Sequence, residues 1–503
     1  AANEIRLVKV SDTEYEGRVG GAAGTLAFEV TIDSNTGAVT VTQFATLEHT
    51  TDGSSAAAHD DALSLGGAAG IRVVQTVTDA DGDTDAATSA NALNITFEDD
   101  GPKADAKAGA VAGAVLDESP AEGGLNNPVT IAASAIAGLF ETPDYGADGL
   151  GSVAYSLSGT DGAGTGLWLT GQSGAANEIR LVKVSDTEYE GRVGGAAGTL
   201  AFEVTIDSNT GAVTVTQFAT LEHTTDGSSA AAHDDALSLG GAAGIRVVQT
   251  VTDADGDTDA ATSANALNIT FEDDGPVVDM ALKAGAALTL DETKGVKAGD
   301  ANANDEAVSL DANDIGYAKL VGSDLFTLTK DAGSDGEQST SFKLLVGTPA
   351  SGLVDTATNQ AIVLSANAGG TEVLGKNTNG DVVFKVVLNA SNGDVEVFQY
   401  RAIKHENASD HDESGAGGLI ERIQAGSLKL EVTLTDKDGD SAKDDLDLGQ
   451  VMRFEDDGPV VDMAVKAGAA LTLDETKGVK AGDANANDEA VSLDANDIGY
   501  AKL

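Results

Sequence analysis

The stretch Thr199-Leu-Ala-Phe-Glu-Val-Thr-Ile-Asp-Ser-Asn-Thr-Gly-Ala-Val-Thr-Val-Thr-Gln-Phe218 carries the fold in its spacing. Phe202, Val204 and Ile206 fall on one side of an extended chain, with Glu203 and Thr205 on the other. Asp207 to Gly211 supplies turn residues, and Val213 and Val215 then resume the alternation. Two period-two runs about a short Asn/Gly turn predict a β-hairpin. A second copy of the pattern follows downstream. There Phe384, Val386 and Leu388 alternate, Ser391-Asn-Gly393 turns, and Val395 and Val397 continue.

Further strands are expected over 179–185, 245–252, 267–271, 361–365 and 428–435, and one short helix near 132–140. Many short strands between Gly, Asp and Asn turns predict an all-β fold, with tandem antiparallel β-sandwich domains (Ig-like or cadherin-like) in a linear rod.

The tandem arrangement is written in the repeats. Residues 1–102 recur unchanged at 175–276, and 277–320 return as 460–503 with one change, Leu282 against Val465. Such internal repetition marks an array. Phe-Glu-Asp-Asp-Gly-Pro closes each segment at Phe97–Pro102, Phe271–Pro276 and Phe454–Pro459. Cutting after each proline gives two whole units, 103–276 and 277–459, flanked by a C-terminal part of a unit (1–102) and an N-terminal part (460–503). The chain begins and ends inside units, so we expect it to be a window on a longer protein. The other reading is a subunit whose ends pair head to tail.

Asp and Glu number 82 against 29 Lys and Arg, a formal charge of −53. An excess of this size repels itself unless cations screen or bind it, and it argues against nucleic acid and anionic membranes as partners. With 41% hydrophobic residues the chain is nonetheless not a disordered acidic tail. It has no Cys, which excludes thiolate metal sites and cysteine catalysis. No apolar run is long enough to span a membrane.

The chemistry lies in the carboxylates. Asp79, Asp81 and Asp83, Asp253, Asp255 and Asp257, and Asp436, Asp438 and Asp440 form three Asp-x-Asp-Gly-Asp turns. Oxygens at alternate positions around a Gly bend converge on one hard cation, and Ca²⁺ takes six to eight of them. The remaining ligands are expected at the unit junctions. There Asp99 and Asp100 face Asp117 and Glu118, Asp273 and Asp274 face Asp291 and Glu292, and Asp456 and Asp457 face Asp474 and Glu475. Pro102, Pro276 and Pro459 stiffen these joints. Asp300, Asn302 and Asn304 form another candidate. The Asp144/Asp148 and Asp331/Asp335 loops are a third type. Ca²⁺ is therefore the expected cofactor, although Asp and Gly also populate turns that bind no metal.

His49, His223 and His405 occupy one equivalent position and His59, His233 and His411 another, each near Asp. No Ser or Cys nucleophile recurs beside them, so structural hydrogen bonding is favoured over catalysis. The single Trp, Trp168, reads as core rather than as a ligand platform.

The order of motifs resembles the tandem repeats of giant type I-secreted, RTX-type bacterial adhesins. It is carried by the Leu-Asp-Glu opening, the Gly-x-Asp-Gly loop, the Leu-Glu-His turns (Leu47–His49, Leu221–His223), Thr-Asp-Ala-Asp-Gly-Asp-Thr and Phe-Glu-Asp-Asp-Gly-Pro. The resemblance implies an extracellular, cell-surface or biofilm-matrix protein whose repeats are extenders that fold on meeting external calcium. A glycine-rich nonapeptide array and a secretion signal, which that family carries, are not in this sequence. The expected function is a non-enzymatic, calcium-stiffened stalk whose partners are its own neighbouring units and other copies of the chain. Two alternatives are a self-assembling matrix or surface-layer filament and an accessory or carbohydrate-binding region of a secreted enzyme. The signature of the last would be a non-repeated cleft with recurrent aromatics or paired catalytic carboxylates, and the sequence shows neither.

Overall fold

The computed structural model describes residues 3–66, 70–121, 123–292, 313–406, 420–456 and 463–471. It is all-β, as the alternation predicts. The quoted stretch forms the hairpin Leu200–Ile206 and Val213–Gln217. Asp207 Oδ1 closes its turn by accepting the N–H groups of Asn209 and Thr210 at 2.9 and 2.8 Å. Gly211 follows at φ +78°, a conformation costly to any residue with a Cβ. The expected short helix is present as Ala133–Ala137.

Around this hairpin a five-stranded antiparallel sheet runs in the order Val129–Ile131, Val213–Gln217, Leu200–Ile206, Glu188–Val193, Ile179–Ser185. A three-stranded sheet of Leu150–Ser158, Arg246–Asp253 and Thr258–Thr262 lies across the core from it. Phe202, Val204 and Val215 of the first sheet and Leu157, Val247 and Val251 of the second are buried in one cluster. The downstream repeat has a six-stranded sheet containing Val382–Leu388 and Val395–Gln399, opposed by Glu337–Val346, Leu428–Asp436 and Ser441–Asp447. Its core is separate and runs from Met280 to Phe454. A smaller cluster gathers Ala27, Phe28, Val30, Ile95 and Phe97.

An aromatic pair recurs in each core. Phe202 and Phe271 have ring centroids 5.3 Å apart, Phe384 and Phe454 also 5.3 Å, and Phe28 and Phe97 4.9 Å. The neighbouring strand makes room for the first ring with a glycine. A Cβ on Gly191 would stand 2.2 Å from Phe202, and one on Gly375 2.5 Å from Phe384.

Among the described residues the fold departs from a purely antiparallel design at one pair in each whole repeat. Gly113–Asp117 lies parallel to Asn268–Glu272, with Leu116 opposite Phe271 and Asp117 opposite Glu272. Leu288–Asp291 and Met452–Glu455 repeat this pairing. A strand near the start of each whole repeat and the strand that closes it thus run side by side in the same direction, although in the downstream repeat Val277–Leu282 comes earlier and pairs antiparallel with Phe326–Asp331. Trp168 also differs from expectation: it is half-buried, and its Nε1 donates to the Gly174 carbonyl at 2.9 Å.

Candidate metal centre

Parallel pairing of the first and last strands delivers their acidic ends to one place. Glu118 follows Asp117, Asp273 follows Glu272, and both side chains are buried. Glu118 Oε1 accepts from Gln217 Nε2 at 2.5 Å and from the Leu221 N–H at 2.9 Å. Asp273 Oδ1 accepts the Asp274 N–H at 2.8 Å. The opening and closing motifs therefore meet within one repeat. Asp273 and Asp274 were expected to face Asp291 and Glu292, but Asp291 lies in register with Glu455 of its own repeat. Glu292 Oε1 accepts from Ile403 N–H at 2.7 Å and Gln399 Nε2 at 2.9 Å, the counterparts of the Glu118 contacts. Asp99 and Asp100 are likewise not joined by Asp117 and Glu118, whose strand end gathers with Asp273.

What the next repeat contributes is different. Asp335, from its Asp-x-Gly-x-Asp-Gly loop, and Asp438, the middle of its Asp-x-Asp-Gly-Asp turn, place carboxylate oxygens within 4.8 Å of one another and of Asp273. One repeat earlier, Asp99, Asp148 and Asp255 form the same triangle. Asp99 and Asp273 are related by the exact repeat (273 − 99 = 174), whereas Asp148/Asp335 and Asp255/Asp438 come from diverged units. The same joint is built twice from different sequences.

Both joints are clamped alike. Gly53 N–H donates to Asp257 Oδ1 at 2.8 Å, and Gly227 N–H donates to Asp440 Oδ1 at 2.9 Å. The return bonds are Thr258 N–H to the Gly53 carbonyl, 2.9 Å, and Ser441 N–H to the Gly227 carbonyl, 2.6 Å. On the other side Ala147 N–H reaches Asp100 Oδ2 at 3.1 Å, and Ser334 N–H reaches Asp274 Oδ2 at 2.8 Å. Ser334 Oγ also donates to the Glu118 carbonyl at 2.6 Å, and Thr170 Oγ1 to Asp335 Oδ1.

The first Asp of each turn organises the loop. Asp253 Oδ1 accepts from the Gly256 and Asp257 N–H groups at 3.0 and 2.8 Å, and Asp436 Oδ1 from Gly439 and Asp440 at 3.1 and 2.7 Å. Asp79 does the same for Gly82 and Asp83, but Asp79, Asp81 and Asp83 are exposed.

The electrostatics are those of a charge cluster short of cations. Burial, then the charges of Asp438, Asp335 and Glu118, push Asp273 up to about 9. Burial chiefly raises Asp335 to about 7, with Glu118 and Asp438 adding to it. Burial and Asp436 raise Asp438 to about 7. Burial and Asp255 raise Asp253 to about 6, and burial raises Asp99 and Asp148. No Lys or Arg ion pair reaches the second cluster among the described residues. Asp273 Oδ2, Asp335 Oδ2, Asp438 Oδ1, Asp253 Oδ2, Asp255 Oδ1 and Asp257 Oδ2 are buried with no hydrogen-bond partner. Buried oxygens of this kind are expensive unless something binds them. An all-oxygen donor set with such atoms fits a hard divalent cation.

Asp148 and Asp335, expected to form a separate site type, instead each complete a triangle with the closing and turn carboxylates. The available signal was their recurrence at one place in both units. Glu292 and Asp456 stay near each other, since Asp456 helps raise Glu292, which burial first drives to about 7. The candidate residues Asp300, Asn302, Asn304, Asp457, Asp474 and Glu475, and also His411, lie outside the described residues. His59 Nε2 sits 3.2 Å from the Thr258 carbonyl, and His233 Nε2 lies 3.8 Å from Asp440 Oδ2, so both bear on the joint. No helix among the described residues is long and apolar enough to cross a membrane.

Among solved structures the chain matches the tetra-tandem repeat in the extending region of a large adhesion protein. Identity is 12%, coverage is 88% of this chain and 98% of that one, and the TM-score is 0.14. No curated protein matches. A family model described as a domain of unknown function (DUF5801) matches three times, over residues 1–91, 113–265 and 287–449. These stretches cover most of the sequence, and the chain therefore belongs to the DUF5801 family.

Proposed function

We propose that this chain is a calcium-stiffened extender of an extracellular, cell-surface bacterial adhesin or fibre, with no catalytic role. Its units would be 103–276 and 277–459, with parts of further units at either end. The observation that carries the reading is the acidic triangle made twice at successive joints, each time from two different repeats, with a buried, unpartnered oxygen on Asp255 in the first and on all three of Asp273, Asp335 and Asp438 in the second. A cation held by Asp99, Asp148 and Asp255, or by Asp273, Asp335 and Asp438, ties one repeat to the next.

The magnitudes favour occupation. Two like charges 4 Å apart repel by about 4 kcal/mol at an effective dielectric of about 20, and each triangle brings three carboxylates within 4.8 Å of one another. A cation bound only by the folded joint contributes about 2.7 kcal/mol at a hundred times its dissociation constant. Export through a type I channel, and a place in biofilm cohesion, belong to the same proposal and rest on the motif resemblance alone.

Chelation is the test. Stripping divalent ions with EGTA is expected to lower the melting temperature and to raise the maximum dimension and flexibility in small-angle scattering, and Ca²⁺ is expected to restore both. Identical melting and scattering with and without Ca²⁺ would reject the proposal.

A further inference from the structure

The second joint holds more acid than one calcium accounts for, and part of its donor set is not oxygen. Beside the triangle of Asp273, Asp335 and Asp438 stands a second group, Glu118, His223 and Asp273, whose ligand atoms also lie within 4.8 Å of one another. Asp273 belongs to both. His223 Nε2 is 3.7 Å from Glu118 Oε1 and 4.0 Å from Asp273 Oδ1, too far for a hydrogen bond to either. Both ring nitrogens of His223, and Glu118 Oε2, are buried without a partner. The relative exposures of His223, Glu118 and Asp273 are 4, 0 and 1%. An imidazole sealed in this way beside two carboxylates has no solvent to satisfy it.

The cluster's charge points the same way. Glu118, Asp273, Asp335 and Asp438 are four carboxylates, so one divalent cation leaves two negative charges and two cations leave none. The two positions differ in chemistry. Three carboxylates suit a hard ion such as Ca²⁺, whereas one imidazole nitrogen with two carboxylates suits a first-row transition ion, to which nitrogen binds well. The pairing recurs along the chain, with His49 Nε2 4.0 Å from Asp99 Oδ1 and His405 Nε2 3.9 Å from Glu292 Oε1.

We propose that the joint is a two-cation centre bridged by Asp273, in which Glu118, His223 and Asp273 bind a divalent transition ion of the zinc class next to the calcium position. The inference rests on the cation-bound reading of the joint, through the shared Asp273. Zinc would fasten the first and last strands of the preceding repeat to each other, while calcium fastens that repeat to the next.

The test uses the whole 503-residue chain in excess Ca²⁺, titrated with Zn²⁺ alone. Because the chain has only six His, the ring-nitrogen resonances of a ¹⁵N-labelled sample can be followed individually. The expected result is saturable zinc uptake, a shift of one His223 ring nitrogen on coordination, and loss of one zinc equivalent in His223→Asn. A His223 ring unmoved at saturating Zn²⁺, or equal uptake by the variant, overturns the proposal. A shift seen only without Ca²⁺ overturns it too, since it would mean one position contested by both ions. If the variant fails to fold by circular dichroism, the wild-type ring shift decides. The calcium reading fails separately, by absence of a Ca²⁺-dependent rise in wild-type melting while the zinc shift persists.

Discussion

Asp438 sits where the two states of the joint have opposite needs. Without a cation its charge opposes those of Asp273 and Asp335. Asp438→Asn is therefore expected to raise the melting temperature of the metal-free chain and to lower that of the chain in Ca²⁺. Differential scanning in EGTA and in millimolar Ca²⁺ reads both signs, and a loss in both conditions would show that the side chain is needed for packing rather than for a cation. The pH dependence follows from the same groups. Asp273, Asp335, Asp438 and Glu292 have folded values raised above those of an unfolded carboxyl, to about 9, 7, 7 and 7. The folded state then binds more protons than the unfolded one, so metal-free stability is fullest below about pH 4 for these groups and falls as pH rises toward 9. Bound Ca²⁺ is expected to flatten that fall, measurable as urea midpoints at pH 5 and pH 8. Asp355 works in the opposite sense. Burial opposes its charge, but Arg401, Thr358 and Asn377 hold it down to about 2. Its contribution is present above the usual carboxyl value and lost as pH drops from about 4 to about 2.

At the scale of elements, the strand pairs depend on a ring and the space left for it. Gly191→Ala would drive a methyl into Phe202, and overpacking of this kind costs about 1–3 kcal/mol. Phe271→Ala removes the partner ring and is expected to cost about 3–5 kcal/mol. Chemical denaturation of each variant checks both, and a neutral Gly191→Ala would mean that the sheet yields there without penalty. The hairpins were legible in the sequence because alternation and turn chemistry are local: Leu200–Ile206 and Val213–Gln217 fall within the alternating runs that predict them. The parallel pairing of Gly113–Asp117 with Asn268–Glu272 had no local signal, since those strands are some 150 residues apart and nothing in either states its direction. For that reason the sequence pattern identified the acidic motifs but matched Asp273 to the wrong partners. Asp335 and Asp438 reach it through packing between repeats, which no spacing within one repeat encodes.

For the molecule as a whole, a net charge of −53 means that monovalent salt screens the surface generally, while the buried joints are screened far less. Raising NaCl to physiological strength is therefore expected to recover only part of the stability that Ca²⁺ supplies. The repeats have separate cores, Ala104–Phe271 and Met280–Phe454, joined through the acidic contacts. In calorimetry they are expected to melt together in Ca²⁺ and as resolved transitions in EGTA. Full recovery by NaCl alone would place the effect on the surface rather than at the joints.

The parallel closing strands also decide how such a chain would carry load. Once the bridges of Lys103 to Asp144 and of Ala106 to Phe140 have parted, a pull on the ends of the repeat enters this pair at Gly113 and leaves it beyond Glu272, at opposite ends of two strands running the same way. Tension then slides one strand along the other, and the rungs from Gly113/Asn268 to Asp117/Glu272 must yield together. An antiparallel closure would instead open like a zipper, one rung after another, at far lower force.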